Sequence, residues 1–152
     1  MVVVTGGASG IGEAIVEAFA ANGAQVVFLD IQTEAAERLV VRLTDGNPYA
    51  PVFVPCDLTD MASLQSAIQS ILREFDAVDV LVNNAGNDTR HTIDEVTPEM
   101  WDRLMAINLK QQFFMPSADQ RTTYFTNIRY NQSVNTRPFA IKTDKKTTVD
   151  RR

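Results

Sequence analysis

Thr5-Gly6-Gly7-Ala8-Ser9-Gly10-Ile11-Gly12 joins a short β-branched run, Val2–Thr5, to a stretch with helical spacing at residues 11–22. Each of three glycines has a physical reason to stand there. Gly6 permits a tight turn out of the strand, Gly10 lets the backbone approach a pyrophosphate with no Cβ between them, and Gly12 permits close helix–strand contact. A helix start offers free N–H groups and the positive end of the helix dipole. Thr5, Gly6, Ser9, Gly10, Ile11 and Gly12 are therefore candidates to hold the phosphates of a dinucleotide. The spacing is G-x-x-x-G-x-G rather than the general G-x-G-x-x-G. The alternative, a glycine-rich turn without a ligand, fits less well with a loop set between a first strand and a first helix.

Outward from this loop the chain alternates strand and helix signals. Residues 11–22 carry apolar side chains at Ile11, Ile15, Phe19 and Ala20, and Gly23 ends the run as a helix cap. Residues 25–29 predict a second strand, and Thr33 a cap for a helix through residue 43, with Leu39 and Leu43 on one face. Asp45-Gly46-Asn47-Pro48 predicts a turn and residues 52–54 a third strand. Thr59 or Asp60 caps a helix in which Leu64, Ile68, Leu72 and Phe75 recur on one face. Residues 79–82 predict a fourth strand. Thr97, with Pro98 at the first helical position, starts a helix running through Trp101, Leu104 and Leu109. The order βαβαβαβα, with uniformly apolar short strands, predicts an α/β fold. Its sheet is parallel and doubly wound (Rossmann-like), with a ligand at the carboxyl ends of the strands.

Asp30, with Ile31 beside it, follows the second strand 18 positions after Gly12. A carboxylate there can accept both hydroxyls of an adenosine ribose and repels a 2′-phosphate. No Lys or Arg adjoins Asp30 or lies in the glycine loop, so NAD is expected rather than NADP. The alternative is a solvated turn aspartate.

Composition limits what else the chain can be. Its 152 residues are 45% hydrophobic with net charge −5, which fits one globular domain and argues against a nucleic-acid surface. One cysteine, Cys56, excludes an internal disulfide and suggests a reducing compartment. With no basic leader and no apolar run near the ~20 residues that span a bilayer, a cytoplasmic protein without a membrane partner is expected. The charge is uneven. Residues 1–115 carry six Lys and Arg against sixteen Asp and Glu, and residues 116–152 eight against three. Apolar content falls from about half to about a quarter across the same point. The expected organisation is a nucleotide-binding domain over 1–115 and a tail of unassigned structure over 116–152.

Three further motifs, taken with the glycine loop and Asp30, resemble the short-chain dehydrogenase/reductase family. They are Cys56-Asp57-Leu58 after the third strand, Asn83-Asn84-Ala85-Gly86 after the fourth, and Ile107-Asn108-Leu109 on the following helix. The resemblance implies that Asp57 and the backbone of Leu58 hold adenine. It implies that Asn84 ties the strands together, that Ala85 and Gly86 leave room for the cofactor, and that Asn108 holds a water in a proton relay. Residues 84–91, 97–101 and Gln112-Phe113-Phe114 are further similar to the family's NAD-dependent sugar 1-dehydrogenases, which oxidise an aldose to a lactone. On that reading the small-molecule substrate is an alcohol or sugar, and Asn87, Asp88 and His91 meet its hydroxyls. The alternative is a solvated, salt-bridged loop of Asp88, Arg90 and His91. His91 is the only histidine, so no His-cluster metal site is expected.

Removing a proton from an alcohol needs a base. The family uses a tyrosine with a lysine four residues later on the same helix face, and a serine on the preceding strand. Here Tyr49, Tyr124 and Tyr130 are followed at that spacing by Phe53, Ile128 and Val134. Ser117 and Ser133 stand in no strand of the required kind. Pro116 interrupts a helix that the family continues, and the family usually carries several residues before its first strand. The fold is thus expected to be C-terminally incomplete. Residues 122–125 and 137–141 are candidate isolated strands. Three readings of the tail stand: an out-of-frame or otherwise substituted C-terminus, a fusion or splice that yields a binding-only protein, and a divergent enzyme with a new base. Little or no turnover is expected. The alternatives are a non-catalytic nucleotide-binding module and a fragment whose uncovered sheet edge prevents stable folding. Relatives form dimers or tetramers through the helix of Asn108 and the next one; the shortened helix argues against carrying that homo-oligomer over.

Overall fold

A computed structural model describes residues 1–75 and 77–115. Its elements are β1 (Val2–Thr5), α1 (Gly10–Ala21), β2 (Val26–Asp30), α2 (Thr33–Thr44), β3 (Val52–Pro55), α3 (Met61–Glu74), β4 (Val80–Val82), α4 (Pro98–Met105) and α5 (Gln111–Phe114). A single 3₁₀ turn, Ile93–Glu95, precedes α4, and a π-helical segment, Ala106–Lys110, joins α4 to α5. The strands form one parallel sheet in the order β3-β2-β1-β4. The chain winds outward from β1 to β3, then returns to the other side of β1 with β4.

The apolar residues of β1 and β2 alternate between two cores, as pleating requires. Val2, Val4, Val26 and Phe28 face α1 and α2, where Val16, Ala20, Ala36 and Leu39 close over them. Val3, Val27 and Leu29 face α3, against Leu64, Ala67, Ile68 and Ile71. Helices therefore cover both faces, and the sheet is the doubly wound, Rossmann-like one the alternation predicts. Each fully buried Val, Leu or Phe contributes about 1.5–3 kcal/mol, so the two central strands anchor the fold. Phe28 also meets Phe53 of the next strand with ring centroids 5.5 Å apart. Pro55 closes β3 at the sheet edge, where a missing N–H costs nothing.

Several local expectations change. The helix predicted from Thr33 has Gln32 at its N-cap, and Thr33 is its first residue. Ile11 is 76% exposed, whereas Ala20 is buried and Ile15 and Phe19 pack partly buried against the same core; Gly12 and Val16 complete the buried face of α1. Trp101 and Leu109 are exposed, while Gln111 and Met115 are the buried residues of that helical run. Asp60 rather than Thr59 caps α3, accepting from the Ala62 amide at 2.9 Å. Thr97 caps α4 as predicted, with Pro98 in its first turn. The predictions for residues 116–152, including the strands at 122–125 and 137–141 and the role of Pro116, lie outside the described residues.

Candidate functional site

The four motif-bearing turns meet at the carboxyl ends of the strands. β1 and β4 are the neighbours between which the chain reverses direction across the sheet, the usual ligand crevice of such folds. The β1 turn is the tightest part. Gly6 adopts φ +66°, which a side chain would strain. A Cβ on Gly12 would fall 1.8 Å from the Gly6 carbonyl oxygen, so only glycine lets α1 start this close to β1. Gly10 is the opposite case. Its φ is +59°, and a Cβ there would meet nothing within 4 Å. The mouth of α1 is thus open at Gly10 and closed at Gly12.

Thr5 is wholly buried and ties β1 to β4. Its Oγ1 accepts from the amides of Asn84 at 3.1 Å and Ala85 at 3.0 Å. Asn84 answers with its side chain: Nδ2 donates to the carbonyls of Thr5 and Gly6, both at 3.0 Å. These bonds join the turn after β1 to the residues after β4. Ala85 is buried and Gly86 exposed. A Cβ on Gly86 would stand 3.2 Å from Asn108 Oδ1.

Asp30 is the last residue of β2 and lies at the same crevice, 6% exposed. Its Oδ2 accepts from the Ala8 amide at 2.9 Å, and its Oδ1 from the Gln32 amide at 3.0 Å. Each carboxylate oxygen has a second acceptor position in addition. Ile31 and Ile11 flank the crevice, both largely exposed. Asp57 after β3 is exposed and Leu58 buried. The Thr59 hydroxyl and amide, donating to Asp57 Oδ1 at 2.7 and 2.9 Å, hold its carboxyl below the usual carboxylate range. Cys56 is buried. Burial pushes its thiol up, against the lowering effect of the Ser63 hydroxyl.

Asn108 sits on the π-helical segment, a local widening that recurs at functional sites. Its side chain clamps Asn87: Oδ1 accepts from the Asn87 amide at 2.7 Å and Nδ2 donates to the Asn87 carbonyl at 2.9 Å. Asn87 in turn receives the Thr89 amide on its own Oδ1 at 2.9 Å. That oxygen is already engaged within the loop. Asp88 and His91 are exposed on the same loop, and Asp88, Arg90 and His91 form no ion pair with one another. The salt-bridged alternative for this loop therefore loses its ion pair.

Four contributors escaped the sequence reading. Gly7 packs on Phe28, where a Cβ would come within 2.6 Å of the phenylalanine Cβ; its signal was a further glycine in an already glycine-rich loop. The Ala8 amide, the Gln32 side chain and the wholly buried Gln111, whose Nε2 donates to the Ala85 carbonyl at 3.4 Å, had no such signal. Among the described residues no group of three or more His, Cys, Asp or Glu could hold a metal ion, and no helix is long and apolar enough to cross a membrane.

Comparison with known proteins bears on this geometry. The family described as short chain dehydrogenase matches residues 1–120. The chain is similar to D-xylose 1-dehydrogenase of Caulobacter vibrioides, 44% identical over 117 residues that cover 77% of this chain and 45% of that protein. It is 42% identical to a probable galactose dehydrogenase of Rhizobium meliloti, over 77% of this chain and 46% of the other. A metagenomic short-chain oxidoreductase solved in complex with NADP superposes with a TM-score of 0.72 at 30% identity, covering 78% of this chain and 54% of that one. The chain spans less than half the length of the curated relatives it matches.

Proposed function

The chain belongs to the short-chain dehydrogenase family, and from that premise we propose that its crevice binds NAD, as the cofactor half of an oxidoreductase acting on an alcohol or sugar. The observation that carries this reading is the 2.9 Å bond from the Ala8 amide to the Asp30 carboxylate. It brings an open helix mouth and a ribose-accepting carboxylate into one crevice. Free first-turn amides of α1 suit the pyrophosphate. The open space at Gly10 admits it, and the free acceptor positions of Asp30 suit the ribose hydroxyls. Among the described residues Arg42 pairs with Glu13 and Glu17, and no Lys or Arg adjoins Asp30 or lies in the glycine loop. That supports NAD over NADP. Asp57 and Leu58 are assigned to adenine, Thr5, Asn84, Ala85 and Gly86 to shaping the cofactor floor, and Ile11 and Ile31 to its apolar flanks.

When bound, NAD supplies the hydride acceptor. What these residues contribute is binding, orientation and, through Asn108, a relay position beside the reacting groups. Asp88 and His91, exposed on the loop that Asn108 clamps, are the residues proposed to meet substrate hydroxyls; Asn87, whose backbone Asn108 holds, would serve through its side-chain Nδ2. The similarity to aldose dehydrogenases favours a sugar. A single cysteine supports a reducing, cytoplasmic setting.

A second reading has its own observation: no tyrosine in these 152 residues is followed four positions later by lysine. On this reading these residues hold the cofactor without turnover. Calorimetric titration with NAD, NADP and ADP tests the first reading. NAD and ADP bind, and NADP binds at least roughly tenfold more weakly, a difference of about 1.4 kcal/mol. Absence of NAD binding overturns it. Oxidation of xylose or another aldose with NAD at ordinary enzymatic rates overturns the second.

A further inference from the structure

Resting on the nucleotide reading above, we propose that Gln32 is a positioning residue that keeps the phosphate cradle open by holding the Ser9 hydroxyl off the start of α1. Ser9 occupies the N-cap of α1 with extended backbone, φ −153° and ψ 162°. A serine there ordinarily turns its oxygen inward and accepts from the second or third helical amide. Ser9 makes no such bond. Its Oγ instead accepts from Gln32 Nε2 at 3.1 Å. Gln32 is itself fixed, because its amide donates to Asp30 Oδ1 at 3.0 Å, and its side chain caps nothing in α2. Residues 30 and 32 thus grip two successive residues of the cradle, Asp30 the amide of Ala8 and Gln32 the hydroxyl of Ser9.

A capping serine and a bound phosphate compete for the same first-turn N–H groups. A helix that caps itself is more stable and a poorer anion site. The Gln32–Ser9 bridge moves the balance the other way: it withholds the cap and leaves the amides free. The arrangement also accounts for a serine at an N-cap that does not cap, and for a glutamine at the neighbouring N-cap with no role in its own helix.

The test uses the 152-residue chain with Gln32→Met, Ser9→Ala and both together. Unliganded thermal stability and calorimetric affinity for ADP and NAD are measured for each. Gln32→Met keeps the side-chain length and removes the amide, so Ser9 is released to cap α1. The melting temperature then rises by about 3–6 °C, while affinity for both ligands falls roughly fivefold. In the Ser9→Ala background the same substitution changes neither quantity. A contact that only held two loops together would lower stability and affinity in both backgrounds. A fall in melting temperature, an unchanged affinity, or an equal loss with Ser9→Ala present overturns the proposal while leaving NAD binding intact. A wild-type chain that binds neither ADP nor NAD overturns the cofactor reading and the role of Gln32 with it.

Discussion

The turn after β1 and the loop from β4 to α4 share one rim of the sheet but are held by different physics. The first rests on a long-range tie and a tight backbone approach: Thr5 bonds to residues nearly eighty positions away, and Gly12 packs so close to the Gly6 carbonyl that a Cβ has no room. Thr5 is wholly buried and Gly12 is buried against that carbonyl. The second, residues 87–95, is exposed throughout and held mostly by bonds a few residues long. Asn87 receives Thr89, and Thr92 and Glu95 exchange the reciprocal bonds of a capping box. Among the described residues, its distant tie is Asn108 on Asn87. The lesson is one of independence. The half proposed for the cofactor is part of the core and tolerates little change. The half proposed for the substrate is locally stitched, so its exposed residues can vary with little cost to the fold.

The largest expected effect breaks the first region. Gly12→Ala forces a Cβ into a 1.8 Å approach to the Gly6 carbonyl, and loss of ~3 kcal/mol or of the cooperative transition follows. Urea denaturation reads it, and an intact midpoint would mean that the turn yields as easily as the exposed loop. Next comes Thr5→Val, which keeps the shape and leaves the Asn84 and Ala85 amides without their acceptor. It should cost about 2 kcal/mol in the same measurement. The contrast sharpens with Asn108→Ala, which cuts the distant tie of the exposed loop. Global stability should fall by ~1 kcal/mol or less, while hydrogen exchange at the Asn87 amide accelerates. A loss as large as that of Thr5→Val would refute the independence of the two regions.

The smallest effect concerns pH. The Thr59 hydroxyl and amide depress the Asp57 carboxyl below its ordinary range. A depressed folded value means stability present above the unfolded value and lost as pH falls through the folded one, so the window lies below about pH 4. Asp57 is exposed, and solvent screening keeps the contribution small. An NMR titration of its side chain checks the direction, and Thr59→Val should return the midpoint toward the ordinary range. No change with that variant would remove the bond from the account.

Legibility differed between the same two regions. The strand–glycine–helix pattern at residues 2–12 was readable because steric rules for glycine and the period of apolar residues act locally. Asp30 was recognisable as a carboxylate at a strand end. Its two backbone donors were not, because Ala8 is an ordinary residue whose amide matters only once β1 and β2 lie side by side. In α1, Ile15, Phe19 and Ala20 meet the core as expected, but Ile11 turns outward and Gly12 inward. Apolarity argues for burial, but the closeness of α1 to β1 left room for no side chain at all.

Local chemistry alone determined the alternation of elements, the parallel doubly wound sheet and the positions of the motif-bearing turns at strand ends. These follow from turn sterics, side-chain period and the handedness of crossovers, which any short stretch of chain obeys. Packing decided what no local rule encodes: that Thr5 and Asn84 lock β1 to β4, that Asp30 and Gln32 reach across to the glycine loop, and that Ser9 does not cap its own helix. Each of those bonds joins residues far apart in sequence, and a hydrogen bond exists only when the fold brings donor and acceptor within reach.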